Sequence, residues 1–262
     1  HPIYHRPDRP LHSHQMPSPS TKTTARHTAE PLPADLAAAI RGRFLVFEGP
    51  AGSGKAPQLA RFAAACAAAD LETEHVRDPG GTDTGERIRS ILLEHSEEDI
   101  SPRCEMLLYM ASRAQLVALK IAPALAAGKC VLAARFYAST LAYQGTAGGV
   151  PADEILSAAL IACGDNRPDL TIIFDVDEQT AAGRLSPLLD RMEAKGAAFH
   201  ARVRKGYHDQ AAQDPDYVAM IDARGTPDQV TANIIAALRE RFCAPTAAKI
   251  PSQSANPRTA HG

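Results

Sequence analysis

Short apolar runs alternate along this chain with longer stretches whose apolar residues recur at helical spacing. FLVFE (Phe44–Glu48), CVLAA (Cys130–Ala134) and LTIIFDV (Leu170–Val176) are continuous and too short for helices, so they predict buried strands. Glu72–Arg77 and Val218–Ile221 add two shorter strands. Gly54–Ala69, Thr84–His95, Ser101–Ala127 and Pro227–Phe242 read as helices. The third of these is expected to bend or end near Pro123, which has no amide hydrogen to donate. Strands separated by helices argue for a parallel α/β sheet covered on both faces. No internal repeat is visible.

The pattern fades at both ends. Residues 1–33 hold seven of the 20 prolines and five of the ten histidines, with no apolar periodicity. Residues 1–35 are therefore expected to be a disordered arm, 36–243 the folded domain and 244–262 a disordered tail. The irregular histidine spacing suits a solvated tail better than a metal site. Met16 is a candidate start, with the first fifteen residues an upstream read-through. The opening HPIYHRPDRPLHSHQ lacks the apolar core of a signal peptide, and no run of 18 apolar residues predicts a membrane helix.

At 262 residues and 45% hydrophobic, the chain can bury a sizeable core in one domain or two small ones. Cys66, Cys104, Cys130, Cys163 and Cys243 are scattered, with no C-x-x-C pair. They read as reduced core thiols of a cytoplasmic protein. A formal charge of −2 predicts no general attraction to nucleic acid or to an anionic membrane. Anion binding must come from local arginines and backbone amides.

One such place follows the first strand directly. A loop that grips ATP phosphates reads G-x-x-x-x-G-K-[ST], and FEGPAGSGKAPQ puts Gly49, Gly54 and Lys55 in register. With Gly52 and Ser53 between them, the loop's amides can form an anion nest at a helix N-terminus, and Lys55 can reach the outer phosphates. The alternative is a chance glycine turn; the strand before and the helix after argue against it. Pro57 falls in the first helical turn, where its missing amide does no harm. Ala56 stands where a hydroxyl would hold magnesium.

RFLVFEGPAGSGK, RDPGGTDTGERIRSILL, ISPRCEMLLYMASRAQL, RFYASTLAYQG, RPDLTIIFDVD and DRMEAKGAAFHARVRKGY, in that order, resemble the thymidylate kinase family over about residues 41–243. DPGGT and STLAYQG are the blocks most specific to it. The resemblance implies a three-layer phosphate-loop NTPase fold with a five-stranded parallel sheet flanked by helices. It also implies transfer of the γ-phosphate of ATP to dTMP in a homodimer, with Mg2+ as cofactor. Lys55, Arg135 and Arg184 would be catalytic. Gly49, Gly52, Ser53, Gly54, Lys55, Ala56 and Arg224 would bind ATP. Arg89 and Arg135 would hold the acceptor phosphate, for which guanidinium forks are suited. Tyr109 would stack on thymine and Gln144 read its edge. Asp78, Arg113, Ser139, Thr140 and Tyr143 would complete the dTMP site. The bland alternatives are an ordinary core position for Tyr109 and a surface ion pair for Arg113.

The departures from the family pattern are specific. Ala56 replaces the Ser/Thr that ligates magnesium, and Ala134 replaces the aspartate of D-R-Y that anchors the ion from the third strand. Ala51 replaces a loop carboxylate that faces the sugar, and Asp78 replaces a glutamate. In the lid, Arg184 is kept, while Ser186 and Pro187 stand where a second arginine and its neighbour are expected. Magnesium would then be carried in by ATP and weakly held, with no protein ligand.

Two readings follow. In one the chain is a working dTMP kinase, slow or helped by Glu48, Asp175 or Asp177 as substitute carboxylates; restoring Ala56→Ser and Ala134→Asp would then raise its rate only modestly. In the other it is a pseudokinase that binds nucleotide or dimerises without useful catalysis. A third, a nucleoside kinase with Asp78 as general base, fits PGGT and the Arg89/Arg135 pair less well.

Overall fold

The computed structural model describes residues 30–184 and 189–244. The expected arm before residue 30, the tail beyond 244, and Ser186 and Pro187 of the lid lie outside the described residues. In chain order the elements are α1 (Ala34–Ala39), β1 (Phe44–Glu48), α2 (Lys55–Ala68), β2 (Thr73–Arg77), α3 (Asp83–Leu93) and α4 (Pro102–Leu116). A π-helical turn (Val117–Ile121) leads to α5 (Ala122–Ala126), β3 (Cys130–Ala134), α6 (Tyr137–Thr140) and a second π-helical turn (Leu141–Thr146). Then follow α7 (Ala152–Cys163), β4 (Leu170–Asp175), α8 (Glu178–Ala182), α9 (Ala197–Gln213), β5 (Val218–Asp222) and α10 (Pro227–Phe242).

All five strands are parallel, in the order β2-β3-β1-β4-β5. Period-two alternation divides their side chains between two helical layers. Leu45 and Phe47 of β1, Leu132 of β3 and Ile172 and Phe174 of β4 face one core, with Ile40 just after α1 and Phe62, Cys66, Ile234 and Leu238 from α2 and α10. Phe44, Val46, Val131 and Ala133 face the other, against Leu116, Ile121 and Phe136. Ile173 meets Phe199, Val203 and Tyr207 of α9 on that same side. Each fully buried side chain of this size contributes roughly 1.5–3 kcal/mol.

The expected strands and helices are present with ends shifted by a residue or two. α10 has its expected bounds because Thr226 and Gln229 close a capping box around Pro227. The expected single helix over Ser101–Ala127 is interrupted. The π-helical turn ends two residues before Pro123, whose ring cannot follow an unbroken α-helical ladder. α7 and α9 answer to no element expected above. The expected arm boundary at residue 35 also moves: Leu32 is buried and α1 starts at Ala34, because Leu32, Leu36 and Ile40 cover the first core. Cys66, Cys130 and Cys163 are core thiols as expected, whereas Cys104 and Cys243 are exposed. Among the described residues no helix is long and apolar enough to cross a membrane.

Candidate functional site

Where the chain order reverses beside β1, the carboxyl ends of the strands leave a crevice, the usual ligand position in open α/β sheets. The loop from Gly49 to Gly54 crosses it. Its glycines are demanded by geometry: Gly52 has φ +76°, and a Cβ there would collide with the carbonyl oxygen of Ala181. Gly54 caps α2 in the left-handed conformation at φ +85°. Lys55 folds over the loop, its Nζ donating to the carbonyls of Gly49 (2.9 Å) and Pro50 (3.0 Å) and to Ser53 Oγ (3.3 Å). Burial, then the charge of Arg135, holds the Lys55 pKa well below its ordinary 10.5. A neighbouring anion would reverse that.

Two cavities meet here. One, of about 180 Å³, is lined by all nine residues expected to bind dTMP: Asp78, Arg89, Tyr109, Arg113, Arg135, Ser139, Thr140, Tyr143 and Gln144. The other, of about 820 Å³, is lined by Gly52 to Ala56, Ala134, Arg184, Ala223 and Gly225. They share a wall of Ala51, Asp78, Arg89, Arg135 and Glu193. Six cationic side chains line the larger cavity (Lys55, Arg61, Arg77, Arg89, Arg135, Arg184) against two carboxylates (Asp78, Glu193). A chain of net charge −2 thus concentrates positive charge at one crevice.

The acceptor side is built around two buried carboxylates. Glu48, at the end of β1, accepts from the Phe136 amide (2.8 Å), the Ser139 amide (3.0 Å), Ser139 Oγ (2.7 Å) and Tyr207 Oη (2.9 Å). It thereby ties the turn after β3 to α9. That turn carries Arg135 with φ +71°, strained for a residue with a Cβ. Arg135 Nη1 donates to Ser139 Oγ (3.0 Å) and Tyr207 Oη (3.3 Å), and its guanidinium lies over the Tyr143 ring. Burial pulls its pKa down, but Tyr143, Tyr207 and Glu48 outweigh burial and raise it.

The second carboxylate, Asp78, receives Arg113 Nε at 2.6 Å. Arg113 is 1% exposed and also donates to Met110 Sδ and Thr140 Oγ1. The surface ion pair considered for Arg113 is thus replaced by a buried one, because α4 packs that face against the strand ends. Tyr109, one helical turn earlier, lines the cavity, where burial raises its hydroxyl pKa. Arg89 Nη1 donates to the Pro79 carbonyl at 3.1 Å.

The donor side departs from expectation in two places. Arg184 lies 3.7 Å from where a Gly54 Cβ would be, with Nη1 donating to the Ala223 carbonyl at 3.1 Å. The Arg224 side chain turns away from the cavity, since Asp222 Oδ1 and Oδ2 accept its Nε and Nη2 at 2.9 and 2.8 Å. Its neighbours Ala223 and Gly225 form the wall instead. Gly49 does not line the cavity; its carbonyl accepts from Lys55, and at φ +135° a Cβ there would press on the Phe174 carbonyl.

The donor set does not fit a protein-held magnesium ion. Ala56 and Ala134 offer no side-chain oxygen. The substitute carboxylates are all committed: Glu48 as above, Asp175 to Arg204 (2.7 and 2.8 Å) and His208 (3.2 Å), and Asp177 to capping α8 through Thr180. Among the described residues no three His, Cys, Asp or Glu side chains gather as metal ligands. Glu193, Arg61 and Arg77 line the larger cavity without having been singled out in the sequence. The D-R-M-E quartet that ends at Glu193 was the available signal for the first; the two arginines had none.

A phosphate loop between β1 and α2, at the switch point of a five-stranded parallel sheet, defines a phosphate-loop NTPase fold. The family model for thymidylate kinase matches residues 47–234. The chain is 41% identical over 205 residues to a thymidylate kinase of Deinococcus radiodurans, covering 77% of this chain and 98% of that protein. It is 42% identical to one of Cereibacter sphaeroides, over 76% of this chain and 94% of that protein. The crystal structure of thymidylate kinase from Ehrlichia chaffeensis is similar at TM-score 0.59 and 29% identity, covering 75% of this chain and 98% of that one. The chain belongs to the thymidylate kinase family, a family of phosphotransferases.

Proposed function

We propose that this protein transfers the γ-phosphoryl group of ATP to dTMP, giving ADP and dTDP. The observation that carries the reading is the shared wall: Arg89 and Arg135 line both cavities. One pair of guanidinium groups can therefore face an acceptor phosphate on one side and a donor phosphate chain on the other. An acceptor phosphate is already ionised, so no general base is required, and catalysis reduces to alignment and neutralisation of spreading charge. Asp78 is also engaged elsewhere, since one of its oxygens accepts from Arg113 at 2.6 Å in a buried ion pair. That disfavours a nucleoside acceptor.

In this reading the loop amides and Lys55 take the donor phosphates, with Arg184 beside Gly54 as clamp. Tyr109 stacks on the base, Gln144 meets its edge, and Arg113, Ser139, Thr140 and Tyr143 shape the pocket. Magnesium comes with ATP, held by phosphates and water. Residues that position a metal contribute on the order of several kcal/mol, and each ~1.4 kcal/mol is about tenfold in rate. A rate about two to four decades below that of a fully equipped site is expected.

Ala56, Ala134 and the committed carboxylates favour a second reading, a nucleotide-binding pseudokinase. ADP release from Mg-ATP, with and without dTMP, separates the two. Turnover that needs dTMP and is lost in Lys55→Ala supports the kinase; equal background rates leave the binding protein. We also propose a homodimer, formed through the exposed Leu107 of α4 and Leu156, Leu160 and Ile161 of α7, working in the cytoplasm.

A further inference from the structure

Glu105, in the first turn of α4, is 1% exposed and lies behind the acceptor cavity without lining it. Its carboxylate collects three donors. Arg191 Nη1 (2.7 Å) and Lys195 Nζ (2.9 Å) both take Oε1, and Gln144 Nε2 (2.9 Å) takes Oε2. Burial pushes its pKa up, but the hydrogen bonds from Gln144, Lys195 and Arg191 prevail and hold it below the ordinary glutamate value. An ionised carboxylate accepts only. Gln144 must therefore turn its NH2 toward Glu105. With the NH2 held on that side, the amide oxygen, which accepts from no described residue, is the acceptor left for the cavity Gln144 lines, beside the second N–H.

Pyrimidines differ at the ring edge such an oxygen would meet. Thymine carries a hydrogen on N3 and can donate; cytosine presents a lone pair there. A fixed acceptor favours the first and repels the second, since a site built to pair with one polar group rejects the analogue that leaves it unpaired. We propose that Glu105 is a positioning residue that fixes the polarity of the Gln144 amide and so selects an N3–H pyrimidine over cytosine at the acceptor site. The inference rests on the acceptor-pocket reading above. The same carboxylate also anchors Arg191 and Lys195, which flank Glu193 of the shared wall. Base selection and one wall of the transfer site thus hang on a single buried group.

The test is calorimetric binding of dTMP and dCMP to the full chain and to Glu105→Gln, Gln144→Leu and the double variant. The preference for dTMP over dCMP is expected to fall by about tenfold in each single variant, through weaker dTMP and stronger dCMP binding. The double variant is expected to match Gln144→Leu, because Glu105 acts through Gln144. Should Glu105→Gln not fold, Glu105→Asp keeps the charge for Arg191 and Lys195 while withdrawing from Gln144, and the same fall is required of it. An unchanged preference, an equal weakening of both ligands, or additive effects in the double variant would overturn the inference while leaving the pocket assignment standing. Wild-type protein that binds neither nucleotide would overturn both.

Discussion

Ala56 and Ala134 both line the phosphate cavity, and neither side chain can ligate a metal. Glu48, Asp175 and Asp177 each already serve a structural partner. None of these three is therefore free as a substitute, and the modest gain expected from compensation gives way to a larger one. Ala56→Ser with Ala134→Asp is expected to raise kcat for dTMP phosphorylation by about tenfold or more, recovering part of the several kcal/mol a positioned metal contributes. An unchanged rate in the double variant, measured by ADP release, would contradict the idea that metal placement limits this site.

At the scale of elements, the turn after β3 is held by one residue of β1. Glu48 receives four hydrogen bonds that join this turn to α9, and the strained Arg135 lies within that turn. Glu48→Gln replaces one acceptor oxygen by a donor facing donors. It is expected to destabilise the fold by about 1–3 kcal/mol and to weaken dTMP binding, because Arg135 loses its frame. Denaturant unfolding together with dTMP titration would check this, and a stable variant with weaker binding would separate framing from folding. The second π-helical turn has a comparable part. It carries Tyr143 and Gln144, both on the acceptor cavity, in a segment where wide turns commonly mark functional sites.

For the whole molecule, the exposed apolar face of α4 and α7 is the feature a monomer least explains: Ile161 is 87% exposed and Leu107 57%. Ile161→Asp is expected to convert a dimer to monomers in light scattering at micromolar concentration; an unaltered mass would remove α7 from the interface. Acid should also loosen the fold. Glu105 and Asp175 have folded-state pKa values depressed below their ordinary 4.5 and 3.8. Their contributions are complete above those ordinary values and fade as pH falls through the depressed ones. Unfolding midpoints followed from pH 7 to pH 3 should therefore hold level and then drop, with a shallower drop in Glu105→Gln.

Much of this was legible along the chain. β1, β3 and β4 are apolar but for Glu48, Thr171 and Asp175 because a parallel strand is buried on both faces, and the glycine loop is readable because Gly49, Gly52 and Gly54 take backbone angles that favour glycine. The order of motifs was enough to gather the acceptor residues into one expected site. α7 was hidden because Leu156, Leu160 and Ile161 are apolar on its exposed side, which blurs the helical stripe; α9 carries one at Phe199, Val203 and Tyr207, interleaved with charge. Other facts existed only in three dimensions. That Arg113 is buried, that Arg224 faces Asp222, that Glu193 stands between the two cavities and that Glu105 sets the amide of Gln144 all depend on partners far apart in sequence. Residue types and spacing determined which chemistry was available. Tertiary packing decided which charges met, because a carboxylate's role is set by the donors that surround it.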